Sequence, residues 1–239
     1  MRCPDFYEKE FYFIMSFSEI LTVFGPSLMA AMGQTCLLAF RGLFFGCIIG
    51  IVVGLMSVVK NKLSRGIALV FVYAIRGVPM IVLAFFVFFG VPMAFKNFLH
   101  INLVLSALQA GTICLALNCG AYMAEIIRAG IQSVDKGQME AARSLGMSYW
   151  RSMYRVVMPQ AIKTMIPSIV NQFIITLKDT SILSVIGFPE LVNTTKNVIA
   201  NTFRSFELWA VCAVMYIIVI TLLSVLANYL ERRLNRGRS

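Results

Sequence analysis

The sequence predicts an all-α integral membrane protein with five transmembrane helices, and three observations lead there. Its 239 residues are 59% hydrophobic and only 13% charged, with a mean hydropathy of +0.81, whereas soluble domains run at about 45–50% apolar and about 25% charged. Five stretches, about 34–59, 67–95, 103–127, 160–186 and 206–230, reach the ~20 mostly apolar residues that a helix needs to cross about 30 Å of hydrocarbon. Twenty-one Lys and Arg against 11 Asp and Glu leave a net charge of +10, and the apolar stretches keep these basic residues apart. A nucleic-acid binder gathers them on one solvated face, so no nucleic-acid partner is expected.

Residues 1–33 read as an external N-terminal segment. Asp5, Glu8 and Glu10 stand among Arg2 and Lys9, unlike the basic opening of a signal peptide. Met15 is an alternative start, and 15–33 reads as an amphipathic interfacial helix broken at Pro26. The first span carries Gly42, Gly46, Gly50 and Gly54, a small-residue stripe that lets another helix approach closely. In the second span Arg76 precedes Gly77 and Pro79, where a kink is expected. In the third, Asn118 and Tyr122 share a face, and Glu125 and Arg128 are spaced to pair. Late in the fourth, Lys178 and Asp179 point about 100° apart, so each needs its own partner or water. Asn171, seven residues before Lys178, shares its face and makes a polar stripe with Thr164. Ionisable groups at membrane depth cost about 2.5–3.5 kcal/mol each and mark functional candidates. Arg76, Glu125, Lys178 and Asp179 either form polar networks between helices or meet the charged groups of a permeating solute.

Sorting the basic residues by side orients the chain. Thirteen fall in the loops 60–66 and 128–159, at Lys163 and in the tail; five fall on the other side and three within spans. The basic side should be cytoplasmic and the N-terminus outside, with a cytoplasmic tail at 234–239. Five of the six cysteines lie in apolar stretches as small hydrophobes, Cys3 apart, and no metal-ligand spacing occurs. No Gly-rich loop ends in Gly-Lys-Ser/Thr, so the chain should bind no nucleotide.

The loop 128–159 is too long for a simple connector. Asp135 can cap a first helix over 138–145, with Gly146 in the left-handed position after it. Ser148 can cap a second over 149–157, ending near Pro159. Ala141 and Ala142 give the first helix a small-residue face, while Tyr149, Trp150, Met153 and Tyr154 are large. Such a pair either docks in a groove of a cytoplasmic protein or lies on the membrane under Arg143, Arg151 and Arg155.

Glu140-Ala141-Ala142, then Gly146, then Val156 and Pro159 resemble the EAA loop of ABC-importer permeases in residue type and spacing, with Met158 where Leu is usual. Further blocks resemble the polar amino-acid (histidine/glutamine/arginine-type) branch: Arg76-Gly77-Val78-Pro79, with Val78 where Thr is frequent; Gly120 through Ile126; Pro159-Gln160-Ala161; Asn171; and Lys178-Asp179-Thr180-Ser181. The resemblance covers roughly 33–233. It implies a type I ABC-importer permease fold, with a permease domain over 34–233 whose EAA loop couples to a separate ATPase through Glu140, Ala141, Ala142, Gly146 and Pro159. It implies ABC ATPase subunits that hold ATP and Mg, an extracytoplasmic solute-binding protein, a second permease subunit (the same chain or a related one), surrounding membrane lipid and a bacterial inner-membrane location. Arg76, Asn118, Tyr122, Glu125, Asn171, Lys178, Asp179, Thr180 and Ser181 are the candidates for the substrate path or its polar network. No catalytic or metal-binding residue and no cofactor on this chain is expected. The rival expectation is an ion-coupled secondary transporter or channel using Lys178 and Asp179.

Overall fold

The computed structural model describes residues 17–59 and 61–235, with side chains described through Tyr229; Cys3, Met15, Arg236 and Arg238 lie outside the described residues. Every regular element among the described residues is helical: α1 (Phe17–Val58), α2 (Lys62–Gly77), α3 (Met80–Leu99), α4 (Ala107–Gln132), α5 (Lys136–Ser144), α6 (Tyr149–Ile186), α7 (Leu191–Thr202) and α8 (Ser205–Asn235). Of these, α1, α3, α4, α6 and α8 are long and apolar enough to cross a membrane.

The glycine stripe sets the centre of the bundle. A Cβ at Gly42 would stand 2.5 Å from Leu115 Cβ, at Gly46 2.8 Å from Cys119 Cβ and at Gly54 2.9 Å from Ile127 Cβ, and one at Gly50 would overlap Met123 Cβ. Each pair lies 73 positions apart, so α1 and α4 run parallel with their backbones in near contact over about three turns. Gly120 of α4 answers in kind against Ile49 of α1. As a result 67% of the most apolar stretch of α4 is buried, against 6% of that of α8. The start of α4 is set by a capping box, in which the Gln109 N–H donates to Ser106 Oγ (3.2 Å) and the Ser106 N–H to Gln109 Oε1 (2.9 Å).

Prolines decide where the other helices break, and three expectations change. The first concerns α1, which runs unbroken through Pro26, so no separate interfacial helix ends there. A proline inside a helix costs about 3 kcal/mol. Ile20 before it and Leu28, Ala31 and Met32 after it are buried in one cluster with Leu191, Val198 and Leu208, and each buried large aliphatic contributes roughly 1.5–3 kcal/mol. Packing on both sides of Pro26 outweighs the defect.

The second is the span expected over 67–95, which is two helices. At Val78 the chain is extended (φ −100°, ψ 130°), as the residue before a proline prefers. The helix ends there rather than kinking, and α3 restarts with the Val82 and Leu83 N–H groups donating to Pro79 O.

The third is the expected stop near Pro159. Two π turns, Phe86–Gly90 and Met153–Val157, each end two residues before a proline, Pro92 and Pro159. A proline lacks the N–H for the carbonyl four residues back and crowds it; a one-residue π bulge opens the turn where that conflict falls. The second loop helix therefore continues as α6 to Ile186, its last turns tightening to 3-10 over Thr180–Ile186 and ending at Gly187 (φ 77°).

Beyond Gly187, Glu190 is fully buried. Its carboxylate accepts from the N–H groups of Val192 (2.8 Å) and Asn193 (2.6 Å), capping α7, and from the Tyr216 hydroxyl of α8 (3.3 Å). The Leu191 N–H donates to Thr35 Oγ1 of α1 (3.1 Å), so one knot ties α1, α7 and α8. Burial raises the Glu190 carboxyl above the usual glutamate range, opposed by these hydrogen bonds and by Lys196.

Gly50→Val should lower Tm in detergent by the equivalent of about 1–3 kcal/mol, the cost of overpacking. Gly33→Ala, where a Cβ meets nothing within 4 Å, should be neutral or stabilising; equal effects at the two sites would discount the seam. At Glu190 the folded state holds the proton more tightly than the unfolded chain, so the penalty is absent at low pH and grows as pH rises towards the raised pKa. The Tm difference between wild type and Glu190→Gln should therefore shift against wild type as pH rises from about 4.3, the unperturbed glutamate value. A difference constant with pH would contradict that assignment.

Candidate functional site

Polar and apolar side chains together line a furrow between α4 and α6. Asn118, Tyr122, Ile126, Ala129 and Ser133 descend one side of α4, and Thr164, Ser168, Asn171, Ile175 and Asp179 climb the facing side of α6. Their spacings of three and four put each set on one helix face. Between them lie a cavity of about 650 Å³ and a smaller one of about 320 Å³, which share Ile126 and Ser168. From Asn118 to Ser133 the α4 stripe rises about 22 Å, most of the about 30 Å hydrocarbon thickness.

The break between α2 and α3 borders the larger cavity. Because the helix ends at Gly77-Val78-Pro79, that backbone borders the furrow, and Arg76 places its guanidinium carbon 4.8 Å from the centre of the Tyr122 ring, a cation–π arrangement. Opposite, Asn118 Nδ2 donates to Asp179 Oδ2 at 3.2 Å. Arg76 and Asp179 thus set opposite charges on one cavity. In the smaller cavity, Glu125 is paired: Arg128 Nε donates to its Oε2 at 3.0 Å and Arg128 Nη2 to its other oxygen, while Arg128 Nη1 donates to Gln132 Oε1 at 2.7 Å. The Ser133 and Thr164 hydroxyls meet at 3.3 Å at the far end.

Arg76, Asn118, Tyr122, Asn171 and Asp179 are therefore brought together, with Glu125 in the adjoining cavity. Lys178 is not: it is exposed and off the furrow, which corrects the expected Asn171–Lys178 stripe. Adjacent helical residues diverge by about 100°, so turning Asp179 towards Asn118 turns Lys178 away. Thr180 and Ser181 are also off the furrow, their hydroxyls donating to Leu177 O and Lys178 O at 2.7 Å. Ser168 and Gln172 line the cavity and were not among the expected residues. The 164-168-171-175-179 spacing is the signal that finds Ser168.

At the end of the bundle that carries the basic loops, Asp135 caps α5, its Oδ1 accepting from the Gly137 N–H at 2.7 Å. The helix closes in a Schellman turn: Gly146 (φ 81°) donates to Arg143 O and Met147 to Ala142 O, satisfying carbonyls that a helix end otherwise leaves open. Glu140 and Ala141 face outward, whereas Ala142 is buried, so the outward small-residue face is Ala141 alone. Ser148 makes no side-chain cap; its carbonyl accepts from Ser152 instead. Gln160 Nε2 donates to Gln138 Oε1 at 3.3 Å, and Met139 packs against Ile131, Val157 and Ala161, fastening α5 to α6 just beyond exposed Pro159.

In a double-mutant cycle, Asn118→Leu and Asp179→Asn should each lower Tm. The pair should lose less than the sum, by about 1.5 kcal/mol for a hydrogen bond to a charged group; strict additivity would show that the bond carries no weight.

Residues 42–236 match the family described as "Binding-protein-dependent transport system inner membrane component". The glutamine transport system permease protein GlnP of Escherichia coli (strain K12) is 37% identical over 209 residues, 87% of this chain and 93% of that relative. The probable glutamine ABC transporter permease protein GlnM of Bacillus subtilis (strain 168) is 36% identical over 222 residues, 93% and 96% of the two chains. A chain in the crystal structure of an amino acid ABC transporter with histidines superposes with a TM-score of 0.83 at 36% identity, covering 92% of this chain and 99% of that one. The chain belongs to the binding-protein-dependent transport system inner membrane component family, the membrane permease subunits of ABC transporters.

Proposed function

We propose that this chain carries a polar amino acid across the bacterial inner membrane into the cytoplasm as one permease subunit of an ATP-driven importer. The observation that carries the reading is the furrow between α4 and α6, with Arg76 and Asp179 on one cavity. Opposite charges there complement the carboxylate and ammonium of an amino acid, while Asn171 and Gln172 offer amides to its side chain. Glu125 is spent on Arg128, and the substrate's own ammonium takes Asp179. The furrow thus has no spare negative charge for a basic side chain, which supports a neutral amide such as glutamine, the substrate named for GlnP and GlnM.

The basic end is cytoplasmic and the N-terminus external, the orientation that the thirteen-to-five basic excess supports. Residues 34–233 form the permease domain, with 128–159 as its coupling loop. A cytoplasmic ATPase, which holds ATP and Mg, receives the outward face of α5 at Glu140 and Ala141. Movement of α5 passes through the Gly146 turn and the Gln138–Gln160 contact to α6, which carries one wall of the furrow. A solute-binding protein delivers substrate at the outer face. A second permease subunit, identical or related, covers apolar side chains such as Leu63, Ile67 and Val70 of α2, which are exposed in the single chain.

Co-expressed with its ATPase and reconstituted, the chain should support ATP-dependent uptake of labelled glutamine. Glu140→Lys and Gly146→Pro should reduce ATPase association and substrate-stimulated hydrolysis by roughly tenfold, about 1.4 kcal/mol of coupling. Unchanged association in both variants would remove the coupling assignment. Uptake that follows an ion gradient without ATP would point instead to secondary transport through Asp179.

A further inference from the structure

A cavity of about 490 Å³ lies at the basic end, apart from the furrow, between the end of α1, α5 and the first turns of α6. Its floor is aliphatic: Leu55 and Val58 close α1, Ile131 closes α4, and Met158 follows the π turn of α6. All four belong to helices apolar enough to cross a membrane, and Leu55, Val58 and Ile131 lie in the last turn of theirs, at the end that carries the basic loops. Its rim is aromatic. Trp150 is 71% exposed and Tyr154 78%, and Trp150 meets Tyr149 edge to face at 5.5 Å; such rings favour the headgroup level. The π turn Met153–Val157 carries Met153 and Tyr154 into this wall.

Among the described residues one charged group lines the cavity, Arg143 of α5. Among the described residues it makes no ion pair, and no carboxylate lines the site. Arg151 and Arg155 are exposed on the neighbouring face of α6. An apolar floor open to the bilayer, an aromatic collar and an uncompensated guanidinium match an amphiphile with a negative head. Besides Arg143 the lining side chains offer only the Trp150 indole N–H and the tyrosine hydroxyls, and the outward face of α5 at Glu140 and Ala141 lies outside the cavity lining.

We propose that this groove holds one anionic phospholipid of the cytoplasmic leaflet, its phosphate on Arg143 and an acyl chain along Leu55, Val58 and Met158. The leaflet rests on the orientation proposed above. Basic pockets between membrane helices are suited to such headgroups, and here the lipid ties α5 to the bilayer while its other face stays free.

The full chain, purified in detergent and titrated with phosphatidylglycerol or phosphatidylcholine, tests this by native mass spectrometry, a readout independent of transport. Wild type should retain one phosphatidylglycerol in preference to phosphatidylcholine. Arg143→Gln should weaken that retention about fivefold, the equivalent of about 1 kcal/mol for one basic side chain at an anionic surface. Arg143→Lys should largely preserve it, and Lys136→Gln, which removes a charge outside the groove, should leave it unchanged. Three results would overturn the proposal: equal retention of the two lipids by wild type, undiminished phosphatidylglycerol binding by Arg143→Gln, or an Arg143→Gln chain that keeps its lipid but loses a co-purified ATPase, which marks the groove as a protein-docking surface.

Discussion

Close approach of α1 and α4 along Gly42, Gly46, Gly50 and Gly54 is the constraint on which the bundle depends. Lipid tails are as apolar as leucine, so membrane helices gain little from burying apolar surface against each other and rely on packing contact. Removing four side chains from α1 lets Leu115, Cys119, Met123 and Ile127 sit directly on its backbone. With that face occupied, α4 presents its neighbouring face, Asn118 through Ser133, to α6. One wall of the furrow is thereby held by a seam that cannot accept even a methyl group without movement.

The other wall is built differently. Because the π turn at Met153–Val157 absorbs Pro159, the loop helix and the polar face of α6 belong to one element. The Schellman turn at Gly146 and the Gln138–Gln160 contact join α5 to its base. A push on α5 therefore has a continuous route to Thr164, Ser168, Asn171 and Asp179. A break at Pro159 would have left the loop and the furrow as separate bodies. At the opposite end Glu190 and Thr35 bind α7 to α1 and α8.

Much of this was legible from residue patterns. The four-residue glycine period, the Asp135 cap and the Gly146 terminus are local signals whose physics acts within a turn or two, and the structure contains all three. The prolines were harder because the same residue met three outcomes. Pro26 is overridden by tertiary packing from Ile20 and Leu28, Pro79 ends a helix, and Pro159 is accommodated by a bulge. Which outcome wins depends on neighbours distant in sequence. The choice between Lys178 and Asp179 had the same origin, since seven-residue spacing favoured Lys178 while a bond from Asn118, 61 residues away, turns Asp179 inward. Glu190 carried no local signal, because its burial depends on the Tyr216 hydroxyl arriving from α8.

The central claim is that α4 is the static wall, locked to α1, and α6 the moving one. Double electron–electron resonance on the reconstituted importer tests it directly, with labels at Gln132 and Lys163 to report α4–α6 and at Val52 and Gln132 to report α1–α4. The account predicts that adding nucleotide shifts the α4–α6 distance distribution and leaves the α1–α4 distribution unchanged. A shift across the glycine seam with α4–α6 fixed would contradict it.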